Sequence, residues 1–113
     1  MNKEALTKLL ELLLTADQVP MPGSGSSPWK IGEKYLVRTV TMTLTGLLIW
    51  VGPQELEFDQ ACWIADAGRF HKALKGEWDS SSEHEPFPGK MIVGRGSIVD
   101  AALITCELPK AVK

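Results

Sequence analysis

The sequence predicts a mainly β protein: a small closed barrel of about five strands, preceded by one N-terminal α-helix and interrupted by a short inserted helix. Three observations predict it. Leu6, Leu9, Leu10, Leu13 and Leu14 recur at helical spacing, which marks one apolar stripe on a helix. From Tyr35 onward β-branched residues alternate with apolar ones, the period of a half-buried strand. Glycines then interrupt the strand signals at Gly46, Gly52, Gly94 and Gly96, where the strands of a small barrel turn corners. The strands are too few for a sandwich. An open α+β sheet is the alternative.

Composition sets the outer bounds. A chain of 113 residues is one domain in size, and at that length about two-thirds of the extended chain's surface can be buried. A content of 44% hydrophobic and 23% charged residues excludes a chain disordered throughout and a low-complexity fibre. Twelve basic and fourteen acidic residues leave a net charge of −2, which carries no electrostatic footprint for tight nucleic-acid binding. A local basic patch still fits within that balance. Cys62 and Cys106 belong to no C-x-x-C pair and read as reduced, buried small hydrophobes. A disulfide would need a secreted setting. No apolar run approaches the ~20 residues of a membrane span, and the N-terminus reads as no cleavable leader. The expectation is a soluble, cytoplasmic protein with no membrane partner. His71 and His84 add no close ligand pair to the cysteines, so neither zinc nor any cofactor is expected.

The elements follow in order. Residues 1–18 form the helix, with Asn2 as N-cap and Glu4 in the first turn; it stops near Asp17, before Val19-Pro20. Residues 19–28, with three prolines and two glycines, form a flexible linker. Residues 29–113 form the barrel domain. Its first strand runs Tyr35–Thr45 with Leu36, Val40, Met42 and Leu44 on one face and Arg38 as the exception among them. Thr45-Gly46 bends the chain into a second strand, Leu47–Val51. Gly52-Pro53-Gln54 is a tight turn. A third strand, Glu55–Asp59, points Leu56 and Phe58 inward, and Ala61–Ile64 extends it or begins another. Asp66 caps a short helix, Ala67–Lys75, that Gly76 closes. Residues 77–90 read as a surface loop. Met91–Val93 and Ser97–Cys106 are the last strands, separated by Gly94-Arg95-Gly96.

No catalytic signature is present: no G-x-S-x-G, no H-E-x-x-H and no phosphate loop. Gly23-Ser24-Gly25 is linker. The chain therefore reads as a non-enzyme. Arg38 on an apolar face must be paired or must line a pocket for an anion. The run from Trp63 to His71 spans a strand end and a helix start, where backbone N–H groups and Arg69 would hold an anion and Trp63 or Phe70 would stack on a base. In the plainer reading both aromatics are core and Asp66 is only a cap. Arg95 projects from a glycine corner, either toward a ligand or into solvent. Glu55, Glu57 and Asp59 alternate outward and read as solvated. The candidate ligand-binding residues are thus Arg38, Trp63, Arg69, Phe70 and Arg95.

Two resemblances join this reading. The N-terminal helix, the bent strand with Thr45-Gly46, and above all Val93-Gly94-Arg95-Gly96-Ser97-Ile98-Val99 resemble the Sm-like (Lsm/Hfq-type) barrel, over residues 3–18 and about 35–106. That resemblance implies an SH3/Sm-like barrel, a ring of subunits, and a nucleotide pocket lined by the arginine–glycine corner, with RNA as a partner. Arg38-Thr39, Thr45-Gly46, Leu56-x-Phe58, Ala61 and the Trp63 region look like small uncharacterised phage and prophage proteins. Proteins of that kind are accessory or host-defence-countering, and some bind nucleotide signals as oligomers. The expectation is a non-enzymatic homo-oligomeric module that binds or sequesters an anionic, nucleotide-like ligand. The alternatives are an RNA-binding Sm-like ring, and a protein-binding inhibitor or structural phage component that uses the leucine helix.

Overall fold

The computed structural model describes residues 3–7 and 27–113, and the chain divides into two compact units, residues 1–30 and residues 31–113. In the first unit residues 3–7 are helical, and Thr7 Oγ1 donates to the Lys3 carbonyl at 2.8 Å. The remainder of the predicted helix, and the linker up to residue 26, lie outside the described residues.

The second unit is mainly β. Its elements are β1 (Lys34–Thr39), β2 (Thr43–Val51), β3 (Glu55–Asp66), α1 (Phe70–Ala73), β4 (Glu83–Pro86), β5 (Met91–Gly94), a 3₁₀ turn at Arg95–Ser97 and β6 (Ile98–Ile104). The six strands form one antiparallel sheet in the order β4-β3-β2-β1-β6, with β5 also on β3. Because β2 runs along β3 from Leu56 to Ile64, β4 and β5 must share the other edge of β3. They do so end to end: β5 lies opposite Glu55–Phe58 and β4 opposite Cys62–Asp66.

The sheet is not the closed barrel that the sequence predicts. Among the described residues β6 pairs with β1 and β5 with β3, and no ladder joins β5 to β6. The chain passes from β5 to β6 through a 3₁₀ turn rather than a two-residue hairpin, so these two strands diverge instead of zipping together. Three local expectations are also corrected. The long strand Tyr35–Thr45 is a hairpin, closed where the Thr39 N–H donates to the Met42 carbonyl at 2.7 Å. Thr39 Oγ1 accepts from Thr41 N–H and Met42 N–H, so a threonine side chain supplies the closure that glycine or asparagine usually announces. The inserted helix is four residues, not nine. Part of the predicted loop 77–90 is β4, a strand of poor intrinsic propensity that the vacant edge of β3 recruits.

Register decides which face each side chain meets. Between the pairs Thr45↔Cys62 and Leu47↔Asp59, β2 advances two residues and β3 three, a bulge in β3. Gln60 supplies the extra residue, with a left-handed φ of +50°. Before the bulge Leu56 and Phe58 share a face with Leu48, Gly46 and Leu44; after it Trp63 takes that face, and Cys62 and Ile64 turn to the other. Both faces are therefore buried, in different halves of one strand. On the second face Leu36, Ile104 and Leu108 form a buried cluster that Leu47, Leu74 and Cys106 complete.

Gly46 lies against Phe58 of the neighbouring strand. A Cβ built there would lie 2.8 Å from Phe58 Cβ and 3.1 Å from its ring, and Phe58 is fully buried. Gly46→Ala should destabilise the protein by about 1–3 kcal/mol through overpacking, read as a lowered denaturation midpoint with an unchanged slope.

Candidate functional site

The predicted site residues fall into three separate settings. Arg38, at the end of β1, is exposed and bound to Asp100 of β6: Nε donates to Oδ1 at 2.7 Å and Nη2 to Oδ2 at 2.5 Å. The guanidinium also lies over the Phe70 ring, 4.8 Å from its centre, a cation–π contact. The hydrogen bond, and then the charge, of Arg38 lower the Asp100 pKa. Of the two alternatives for Arg38, the pairing is therefore the one seen. The structure brings Arg38 and Phe70 together, and α1 places Arg69 beside Phe70.

Arg69 marks the start of α1, where an external anion was expected. The chain fills that place itself. Asp79, ten residues on, accepts from Arg69 N–H at 2.9 Å, from Ser81 N–H at 2.9 Å and from Ser81 Oγ at 2.6 Å. These hydrogen bonds, the Ser81 hydroxyl's first, lower its pKa to about 2, so it is an ionised acceptor at neutral pH. Asp66 does not cap the helix; its Oδ1 accepts from Gly68 N–H at 2.8 Å in a local turn. Gly68 has φ +67°, and Asp79 occupies the space a Cβ would need.

Arg95 is a clamp rather than a projecting group. Its Nη1 donates to the Gly52 carbonyl at 2.8 Å and its N–H to the Gln54 carbonyl at 2.8 Å. It thereby ties the 3₁₀ turn to the β2–β3 turn.

Trp63, as exposed as Phe70, is the candidate that lines a groove. It is 40% exposed and lines a groove of about 420 Å³ with Met42, Glu85, Pro86, Phe87, Pro88 and Met91. The bulge at Gln60 turns Trp63 to this face, and its ladder partner Glu85 sets a carboxylate at the groove. Phe87 is anchored where its N–H donates to the Ala61 carbonyl at 2.8 Å, in the gap between β4 and β5. Pro86 and Phe87 also wall a second groove of about 430 Å³, lined by Gln60, Ala61, Pro109 and Lys110. Sequence reasoning missed Phe87, Met42, Met91 and Gln60. The cluster Glu85-Pro86-Phe87-Pro88 was a usable signal, because an aromatic residue between two prolines in a polar loop has no core to enter.

The titratable candidates are placed as follows. His71 is exposed on α1, whereas His84 is 5% exposed and meets the Trp78 ring edge-to-face at 5.2 Å. The two cysteines are free thiols. Burial, and then the charge of Glu85, push the Cys62 thiol up to about 11, so it stays protonated and unreactive near neutrality. Among the described residues no group of three or more metal-ligating side chains comes together, and no helix is long and apolar enough to cross a membrane.

Two outcomes follow from these environments. The Asp79 pKa is lowered, so its stabilising effect is present above the ordinary carboxylate value and is lost as pH falls through about 4 toward about 2. Asp79→Asn should be less stable than wild type at pH 7, with the gap closing across that window in thermal melts. Cys62 should resist alkylation by iodoacetamide at pH 7.5 in the folded protein and react on denaturation, read by peptide mass spectrometry.

No family model, curated protein or solved structure matches this chain.

Proposed function

We propose that this chain is a non-enzymatic binding module whose contact surface is the Trp63 groove. Its ligand is a peptide-like segment with one apolar anchor and a neighbouring cation. The observation that carries this reading is a large aromatic left 40% exposed at the head of a groove built from Phe87, two prolines and two methionines. Partly exposed tryptophan is the typical anchor of a contact surface, and methionine adapts its shape to varied apolar groups. Glu85 favours a lysine or arginine beside the anchor and disfavours an anion there. The fold reading that goes with it is an SH3/Sm-like small barrel, left open along one seam. It is supported by the antiparallel run β5-β3-β2-β1-β6, in which β6, next to β5 in the chain, returns to β1 at the far side of the sheet, and by α1 and β4 standing as an excursion from β3.

An anionic, nucleotide-like ligand is the second reading, favoured by one observation: the Arg38 guanidinium stacked on Phe70 with Arg69 adjacent. Such a ligand would have to displace Asp100 from both guanidinium donors. A phage origin with a role against host defence goes with this second reading and rests on the phage-protein resemblance; RNA binding by a ring is a separate alternative that rests on the Sm-like resemblance, and a cytoplasmic setting rests on the N-terminal sequence and the short apolar runs.

Selection from a random peptide library should enrich segments with an aromatic or long aliphatic residue next to Lys or Arg. Trp63→Ala should weaken the selected peptide by about 2 kcal/mol, roughly thirty-fold, and Glu85→Lys should reverse the charge preference. Binding that survives Trp63→Ala, or a nucleotide that titrates in calorimetry and is lost with Arg38→Ala, would replace the first reading with the second.

A further inference from the structure

A second exposed tryptophan, Trp50, stands on the opposite face of the sheet from Trp63. Between the pairs Leu48↔Phe58 and Trp50↔Glu57, β2 advances two residues against one of β3. This bulge turns Trp50 out of the Leu48 and Phe58 face and onto that of Glu57. Glu57 also pairs with Ile92 of β5, so Trp50, Glu57 and Ile92 form one row across three strands, and Glu55 lies two residues along on the same face. These four side chains line a groove of about 250 Å³. That is smaller than the ~300–1,000 Å³ of a site for a whole drug-sized molecule, and it suits one long side chain. Trp50 is 46% exposed and Ile92 65%. The indole is held in place. Its six-membered ring fills the space that a Cβ at buried Gly52 would need. The turn beneath it is closed where Gly52 N–H donates to the Glu55 carbonyl at 2.8 Å, and Arg95 clamps the Gly52 carbonyl. Arg95 is committed to that carbonyl, and among the described residues neither Glu55 nor Glu57 has an ion-pair partner.

We infer that the Trp50 groove binds the guanidinium side chain of an arginine presented by a partner protein. The molecule contains the full arrangement once already. Arg38 lies over the Phe70 ring, 4.8 Å from its centre, and gives two edge donors to Asp100. At the Trp50 groove a ring and two carboxylates converge without a cation of this chain among the lining residues. An arginine there rests its methylene stem on Trp50 and Ile92, stacks its planar head on the indole, the ring that attracts a cation most strongly, and directs its N–H donors to Glu57 and Glu55. Charge selects this occupant over others. A carboxylate or phosphate would meet two negative groups, and an apolar side chain would cover two carboxylates without returning a hydrogen bond to either. Because Gly52 fixes the indole beforehand, the ligand does not have to order it. The groove shares no residue with the Trp63 groove, so the inference stands or falls apart from the peptide-binding reading.

Nα-acetyl-arginine amide, titrated into the isotope-labelled full chain, should move the Trp50 indole N–H resonance and saturate at about 1–10 mM, the scale of one side chain's contacts. The resonance is assigned by its loss in Trp50→Phe. Nα-acetyl-citrulline amide, of the same shape but uncharged, should leave it in place. Glu55→Gln combined with Glu57→Gln should weaken binding about ten-fold while the rest of the amide spectrum holds, which separates a lost contact from a lost fold. A Trp50 resonance that stays fixed up to about 50 mM, that answers citrulline as it answers arginine, or that moves as well in the double glutamine variant would each overturn the assignment. So would a response confined to the Trp63 indole. Loss of peptide binding in Trp63→Ala with this titration unchanged would leave it standing.

Discussion

Gln60 holds a left-handed backbone in the middle of the longest strand, and the sheet is organised around that bend. A non-glycine residue there costs roughly 1–2 kcal/mol, so the surroundings must over-determine it. They do so from both sides. Asp59 Oδ1 accepts the Gln60 N–H at 2.9 Å, and across the ladder Gly46 gives Phe58 room to pack against bare backbone. The bulge lets one edge of β3 serve two partners, since β5 and β4 leave it on either side of the interruption. It also rotates Trp63 into the groove and Cys62 into the core. Straightening Gln60 would undo the groove and the second core face together.

The charged residues are largely used by the protein itself. Arg38 is held by Asp100 and Phe70, Arg95 by the carbonyl of Gly52, and the N–H of Arg69 by Asp79. Each contact has a charged partner: Arg38 and Asp100 face each other on the β1–β6 ladder, while the Arg38–Phe70, Arg95–Gly52 and Arg69–Asp79 contacts join parts that the ladder leaves separate. Arg38 links the two edge-side strands to α1. Arg95 fixes the corner between β5 and β6 where no ladder runs. Asp79 gathers the loop ahead of β4. The guanidinium groups of Arg38 and Arg95 thus act as fasteners at the seams of an open sheet.

The legible and illegible parts of the sequence separate along physical lines. The β character from Tyr35, the tight turn at Gly52-Pro53-Gln54, and the late strand pair divided at Arg95 could be read because alternation and glycine are local signals. The hairpin at Thr39–Met42 was hidden because a threonine hydroxyl closes it. The bulge was hidden because Leu56, Phe58, Cys62 and Ile64 all fall at even positions on either side of Gln60, while the backbone between them changes face. β4 was hidden because its pairing comes from a vacant edge rather than from its own residues. For the site, the exposure of Trp63 and the closeness of Phe70 to Arg38 lay within the predicted set. The anion expectation rested on counting cations without their partners. Asp100, sixty-two positions from Arg38, could be matched to it only once β6 was known to return beside β1.

The excursion between β3 and β5 leaves and rejoins the same strand edge, at Asp66 and at Met91 opposite Phe58. Most of that excursion is tied to the frame, through Phe70 against Arg38, Leu74 in the second core cluster and His84 paired with Lys113. One wall of the groove, from Glu85 to Pro88, belongs to the excursion; the other, with Met42 and Trp63, belongs to the frame. The shape of the groove can therefore be altered through the four contiguous residues 85–88 without touching the wall that Met42 and Trp63 form. A library confined to that stretch would sample new specificities on an unchanged chassis.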